Sequence, residues 1–321
     1  MSISWICRSA ARYWTNAAES FIKGGSGSQI GKLYRERVRP GREEMYSTKT
    51  SDRLCDLTNC LNASRGKAGG SEKGSIQKAY EYFKSNYSEM RKGEKQISEI
   101  PLLRLFDKIE EDVKIFDRKC YVIKDDRKVY LENTATGMAA VQWAINKSLT
   151  QQGFTALEET IKTYICEACQ IPTDEELFRD IIVGSTVKFM GTRYNSAKKN
   201  QKKTDQNQGL LPDADSLKEG CGQELERDSE FMELKEQERA FYLQKVEELI
   251  DNLPVELVNL TSDIARYRNS LNHFGFQKEE TKYTKLQDKL KELYEKTEML
   301  MKMEQVVWED SCLAAENPCD Q

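Results

Sequence analysis

Apolar residues recur every three or four positions over most of the chain, the spacing that places them on one face of an α-helix. The clearest pattern covers residues 100–116, which begin with a proline in the first turn. Residues 137–169 predict two helices joined near Ser148, the second with Phe154, Leu157, Ile161 and Tyr164 on one stripe. Further helices are predicted over 9–25, in the short basic stretch before Pro40, and over 52–61, 76–87, 229–253, 264–276 and 281–309.

Two segments depart from the helical pattern. Residues 120–131 alternate apolar and polar side chains around a polar turn and predict a small β-hairpin. Residues 195–228 are polar, charged and aperiodic, which predicts an exposed, flexible insert whose KKNQKK stretch is either a solvated linker or an RNA contact. The predicted fold class is therefore all-α, a helical bundle, with a helical segment over 1–95 and a helical domain over 96–321.

Composition narrows the class of protein. The 321 residues carry a net charge of −4, so the molecule as a whole does not attract polyanions, and any such site must be a local patch. No apolar run approaches the roughly 20 residues needed to cross a bilayer. The nine cysteines are scattered, which indicates reduced thiols in a cytoplasmic protein. Cys166 and Cys169 form a single C-x-x-C without a second pair or a nearby histidine, so we predict no metal or other cofactor.

His273 is the only histidine of the chain, and it lies in the predicted helix 264–276. On an ideal helical wheel Ile264, Tyr267, Leu271 and Phe274 fall within roughly 80° and form a buried stripe. Arg266, Asn269 and His273 cluster within roughly 60° on the opposite side. Thr261 or Ser262 is the predicted N-cap. His273 is thus predicted to lie off the apolar face, where it is available for chemistry.

Arg268, Asn269 and His273 form an R-x4-H pattern with asparagine after the arginine, which resembles the active-site motif of HEPN ribonucleases. A second segment is similar to a helical region of the CARF–HEPN family of type III CRISPR systems. The residues that carry this second resemblance are Trp143, Gln151, Gln152, Thr155 and Glu158. The stretch WTNAAESFIKGG is similar to the helix that follows the sensor domain in that family. The segment before Trp14 is too short for a CARF sensor, so we expect either the effector half alone or a truncated coding region.

The resemblance implies metal-independent cleavage of single-stranded RNA in CRISPR-linked antiviral defence. It implies that Arg268 binds phosphate, that Asn269 orients the reactants and that His273 exchanges a proton or donates a hydrogen bond. Arg266 is the alternative phosphate ligand, since it lies nearer to His273 on the wheel. Thr155 and Glu158 either line the cleft or stabilise the bundle.

The resemblance also implies a composite active site at a homodimer interface, with activation by cyclic oligoadenylate through a missing or separate sensor domain. Two alternatives stay open at this point. One is a catalytically silent HEPN module that binds RNA or a partner protein. The other is a helical interaction protein in which the motif occurs by chance, and which would tolerate replacement of Arg268 and His273.

Overall fold

A computed structural model describes residues 46–62, 75–92, 100–171, 175, 177–201, 212–272 and 283–309. The predicted helix over 9–25, the basic stretch before Pro40, and both His273 and Phe274 lie outside these ranges. Within them the chain is a mostly α-helical bundle with a small sheet, as the sequence predicted. No helix in the described ranges has the length and apolar character required to cross a membrane.

The described residues contain the following helices. They are α1 (Tyr46–Asn62), α2 (Ser75–Lys92), α3 (Ile100–Val113), α4 (Glu132–Asn146), α5 (Thr150–Ala168), α6 (Gly184–Gln201), α7 (Ala214–Leu225), α8 (Ser229–Met232), α9 (Glu236–Asn252), α10 (Val255–Asn272) and α11 (Tyr283–Met303). A 3-10 turn covers Lys114–Asp117, and a π-helix over Leu177–Val183 leads directly into α6. The predicted break near Ser148 is confirmed: α4 and α5 meet there, and Ser148 has a φ of 57°.

The predicted hairpin is confirmed and belongs to a three-stranded antiparallel sheet. Strands β1 (Lys119–Lys124) and β2 (Arg127–Tyr130) are joined by a turn of two aspartates with positive φ. A third strand, β3 (Val307–Glu309), pairs with the other edge of β1, so that Tyr121 lies opposite both Tyr130 and Val307. The prediction of one helix over 281–309 is therefore wrong beyond Met303, because residues 307–309 bond to β1.

Two apolar clusters hold the bundle together. The larger one joins β1 with helices α4 to α11, and its fully buried side chains include Phe154, Phe178 and Phe231. The smaller one joins α1, α2 and α3 and receives Ala140 and Trp143 from α4. Helix α4 thus contributes to both clusters and connects them. The smaller cluster contains residues from both the predicted segment 1–95 and the predicted domain 96–321. The division of the chain into these two parts stays a prediction.

Glu167, near the end of α5, caps the start of α4. Its carboxylate accepts hydrogen bonds from the backbone N–H groups of Asn133 and Thr134, at 3.0 Å each, and from both of their side chains. The first N–H groups of a helix have no partner within the helix, so a carboxylate placed there stabilises it. This contact fixes the register of α4 against α5.

The prediction that residues 195–228 form a flexible insert is wrong for most of its length. Helix α6 continues to Gln201, and α7 forms over Ala214–Leu225. Asp213 caps α7 by accepting from the Ser216 N–H at 2.9 Å. Leu217, Cys221 and Leu225 recur every four residues and are buried in the larger cluster. Residues 202–211, which include part of the KKNQKK stretch, lie outside the described ranges.

Helix α10 begins earlier than the capping residues predicted. It starts at Val255, directly after Pro254, whose fixed φ suits the entry to a helix. Thr261 and Ser262 lie inside it, and their hydroxyls donate back to the carbonyls of Leu257 and Val258 at 2.8 and 3.2 Å. Neither residue is the N-cap, because the apolar Leu257 and Val258 extend the buried face towards the proline.

Candidate functional site

Helices α5 and α10 pack side by side in opposite directions, and this pairing builds the candidate site. Along it Gln151 faces Asn272, while the Phe154 ring stacks on Tyr267 with centroids 5.7 Å apart. Farther along α5, Glu158 contacts Arg268. The two segments singled out by the resemblance, more than a hundred residues apart in sequence, therefore meet in space.

Arg268 turns towards α5 rather than towards solvent. Its side chain is 27% exposed, and Nη1 lies 2.9 Å from Oε2 of Glu158, whose side chain is 9% exposed. Nη2 donates to Oδ1 of Asn269 at 3.2 Å. The contact with Glu158 is a charge pair without hydrogen-bond alignment: Glu158 Oε2 and Arg268 Nε have no hydrogen-bond partner among the described residues. The guanidinium is thus held beside Glu158 with its Nε buried, and the donors left for an anion are the remaining N–H groups of Nη1 and Nη2.

Two opposing effects act on Glu158. Burial raises the pKa of its carboxyl above 4.5, and the neighbouring charges of Arg268 and Lys162 only partly offset this rise. Glu159, the next residue, is also buried in part, yet ion pairs with Lys162 and Arg179 bring the pKa of Glu159 below its ordinary value. Consecutive carboxylates on α5 therefore have opposite electrostatic environments, and the one beside Arg268 is the costlier to ionise.

The other candidate arginine has different surroundings. Arg266 is 65% exposed, forms an ion pair with Asp263 at 3.2 Å, and lies over the Tyr267 ring at 5.1 Å. The helical wheel predicted this exposure, and it places Arg268 about 160° away, on the side where α5 packs. Arg268 is therefore the arginine joined to α5, and Arg266 is a surface cation.

Thr155 is not brought into contact with the arginine. It is partly buried, and its hydroxyl donates to the Gln151 carbonyl of its own helix at 3.1 Å. Trp143 packs in the smaller apolar cluster rather than in the site. Of the residues carried by the second resemblance, Glu158 forms an ion pair with α10 and Gln151 forms a hydrogen bond to it.

The sequence did not identify the contact between Gln151 and Asn272. The amide Nε2 of Gln151 donates to Oδ1 of Asn272 at 2.9 Å, and Asn272 directly precedes His273. No local spacing predicts a bond between residues 121 positions apart. Residues 268–272 of the R-x4-H motif are described, whereas the histidine itself lies outside the described ranges.

The C-x-x-C pair lies at the opposite end of α5. Cys166 and Cys169 both hold free thiols, and burial is the main cause that raises the pKa of each, to about 12 for Cys166. Both thiols are therefore protonated at neutral pH, which makes them poor nucleophiles. Within the described residues, no group of three or more His, Cys, Asp or Glu side chains is arranged to hold a metal ion.

Comparison with known proteins found no similarity: no family model, no curated protein and no solved structure matches the chain. The function must therefore be argued from the chemistry of the residues where α5 meets α10.

Proposed function

We propose that this chain is a metal-independent endoribonuclease that cleaves single-stranded RNA, with Arg268, Asn269 and His273 as the reacting groups. The observation that carries the proposal is the position of Arg268. The arginine that begins the R-x4-H motif lies 2.9 Å from the buried carboxylate of Glu158, and its side chain is 27% exposed. A positioned guanidinium with unused donors is suited to bind a phosphate in two places at once.

The proposed reaction is an internal transesterification. The ribose 2′-oxygen forms a bond to the adjacent phosphorus while the bond from phosphorus to the 5′-oxygen breaks, leaving a 2′,3′-cyclic phosphate and a 5′-hydroxyl. One proton leaves the 2′-hydroxyl and one arrives at the 5′-oxygen. An imidazole, whose ordinary pKa is about 6.5, exchanges such protons near neutral pH, which is the role we assign to His273. Arg268 stabilises the charge on the phosphoryl oxygens, and Asn269 orients the phosphate.

The number of histidines supports a composite site. One imidazole cannot occupy both sides of the scissile bond, whereas two copies of the motif facing each other across a homodimer would supply two. We therefore propose a homodimer. Its action in the cytoplasm and in CRISPR-linked antiviral defence is proposed from the resemblance to CARF–HEPN proteins alone. Cyclic oligoadenylate, acting through a sensor domain, would be its activating signal.

One observation favours the catalytically silent HEPN module instead. The guanidinium of Arg268 already has a carboxylate beside it, so RNA phosphate must compete with Glu158 for the same charge. If Glu158 prevails, Arg268 only joins α10 to α5, and the module binds RNA or a partner protein elsewhere on its surface.

The chemical groups at the ends of the cleaved RNA test the proposed transesterification. Cleavage of a defined single-stranded RNA in excess EDTA should leave 2′,3′-cyclic phosphate and 5′-hydroxyl termini, detected by mass spectrometry. Arg268→Gln should abolish this product, and Arg266→Gln, the matched loss of a neighbouring cation, should leave most of it. Products with 5′-phosphate ends, or a requirement for divalent metal, would contradict the proposal. Loss of activity in Arg266→Gln alone would make Arg266 the phosphate ligand.

A further inference from the structure

Helix α6 has a charge composition unlike that of the whole chain. Its 18 residues include Lys188, Arg193, Lys198 and Lys199 and contain no aspartate or glutamate. The complete chain has 53 acidic residues against 49 basic ones. A stretch of this length without a single carboxylate is therefore a local concentration of positive charge in an acidic protein.

Lys188 and Arg193 of α6 are not neutralised by neighbouring carboxylates. Lys188 and Arg193 are exposed, and no carboxylate among the described residues forms an ion pair with either. The exposed hydrogen-bonding side chains of Thr192 and Asn195 lie within about 40° of Lys188 on the helical wheel, and Arg193 lies about 140° from Lys188, at the other edge of the exposed side of α6. On α11, in contrast, Glu292 pairs with both Lys289 and Lys296, at 2.8 and 2.6 Å.

Helix α6 packs directly against the helix that carries the candidate site. Gly191 approaches Ser262 of α10 so closely that a Cβ atom at position 191 would overlap the serine hydroxyl. Ser262 precedes Arg268 by six residues, about 9 Å along the helix axis. The cations without ion-pair partners therefore belong to a helix that packs on α10, the helix that carries the proposed phosphate ligand.

We propose that the exposed face of α6 binds the phosphate backbone of single-stranded RNA. This inference rests on the proposed function, and it adds a surface that holds the RNA beyond the bond to be cut. Charge complementarity is the argument. Lysine and arginine without carboxylate partners release the counterions of a nucleic acid, and the contact of Arg193 with the Phe189 ring at 5.1 Å leaves its charge uncompensated. Exposed hydroxyl and amide groups add phosphate contacts without reading sequence.

Binding can be measured without cleavage by using a fluorescein-labelled 2′-O-methyl oligoribonucleotide, which has no 2′-hydroxyl nucleophile. Fluorescence anisotropy over a series of KCl concentrations gives the affinity and its salt dependence. The test variant is Lys188→Gln/Arg193→Gln in the full chain. The matched control, Lys291→Gln/Lys302→Gln, removes the same charge from exposed positions on α11. Circular dichroism verifies that both variants keep their helical content, and Lys188→Arg/Arg193→Lys keeps the charge and should bind as wild type does.

We expect weaker binding by the test variant and a flatter plot of log K against log salt. The slope should fall in magnitude by about 0.7 for each phosphate that the variant no longer neutralises, hence by about 1.4 for two phosphates, while the control stays unchanged. The inference is overturned if wild type does not bind, if the test variant binds as wild type does, or if the control is weakened equally. Loss of binding to phosphatidylserine vesicles with unchanged RNA binding would overturn it in favour of a membrane surface.

The two proposals fail in different ways. Wild type that binds through α6 but cleaves no RNA in a parallel assay with unmodified RNA would refute the ribonuclease and leave this inference standing. Cleavage that depends on Arg268, with normal binding by the α6 variant, would refute this inference and leave the ribonuclease standing.

Discussion

Nε2 of Gln151 donates a hydrogen bond to Oδ1 of Asn272 over 2.9 Å, which joins the second residue of α5 to the last residue of α10. The residue after Asn272 is His273. A bond at this place holds the last residue of α10 against the start of α5. Gln151 is therefore a positioning residue in the proposed reaction.

Replacing Gln151 by alanine should lower kcat for RNA cleavage about tenfold with a smaller change in KM, because the bond orients the catalytic segment rather than the substrate. Gln151→Glu should retain most activity, since the Asn272 amide can rotate and donate to the new carboxylate. Gln142→Ala is the control, because the Gln142 amide donates to Oδ1 of Asn146 within its own helix. Unchanged kcat in Gln151→Ala would show that the bond has no positioning role.

The neighbouring carboxylates of α5 should respond to pH in opposite directions. The pKa of Glu158 is raised from 4.5 by burial, so the folded state holds this proton more tightly than the unfolded state, and stability falls as pH rises above about 4.5. Glu158→Gln removes that loss, so its melting temperature relative to wild type should increase between about pH 4 and pH 7. Thermal denaturation followed by circular dichroism measures the difference.

Glu159 is the internal control for this pH effect. Burial opposes its ionisation, but Lys162 and Arg179 outweigh burial and lower its pKa, so its contribution is present above 4.5 and is lost as pH falls. Glu159→Gln should therefore lose stability relative to wild type as pH rises. Curves of the same sign for Glu158→Gln and Glu159→Gln would contradict the two environments described here.

The hydrogen bonds that the Glu167 carboxylate accepts at the start of α4 should contribute strongly to the free energy of unfolding. Glu167→Ala leaves the N–H groups of Asn133 and Thr134 without their acceptor, and we expect the free energy of unfolding to fall by about 2–3 kcal/mol. Urea denaturation gives this value. Glu295→Ala removes a carboxylate that is exposed on α11 and should change it by less than about 0.5 kcal/mol. Equal effects would mean that the cap contributes little.

Close packing between α4 and α5 depends on Gly137. A Cβ atom at this position would lie 2.8 Å from Cγ2 and 3.0 Å from Cβ of Thr160, so Gly137→Ala should cost about 1–3 kcal/mol of stability. Gly222 is the matched position, since its Cβ would come no nearer than 3.8 Å to Leu243. Gly222→Ala should stabilise by up to about 1 kcal/mol through helix propensity. A stabilising Gly137→Ala would show that the two helices can separate at no cost.

The sequence predicted most helices correctly, because their apolar spacing repeats over several turns. The break at Ser148 and the hairpin over 120–131 were also predicted, and both depend on local signals. Helix α7 was missed because polar residues surround it on both sides, although Asp213 and the four-residue spacing of its buried side chains were present in the sequence. Strand β3 was missed because three residues have no period of their own and form a strand only beside β1.

The site could be predicted only in part. The resemblance named both Glu158 and Arg268 as candidate site residues. The helical wheel by itself favoured Arg266 as the phosphate ligand, because a wheel shows one helix and not the helix packed against it. Which arginine has a carboxylate of α5 beside it depends on the packing of α10 against α5. The bond from Gln151 to Asn272 likewise exists only after both helices have docked.

The most direct measurement is cleavage of a fluorogenic single-stranded RNA by the purified protein in excess EDTA, with His273→Ala and Arg268→Ala as variants of equal helical content. We predict that wild type cleaves and that both variants lose at least about 100-fold in rate, the scale expected for loss of a proton-transfer or charge-stabilising group. Cleavage that persists in both variants, or a wild type that is inert with and without cyclic oligoadenylate, would contradict the ribonuclease.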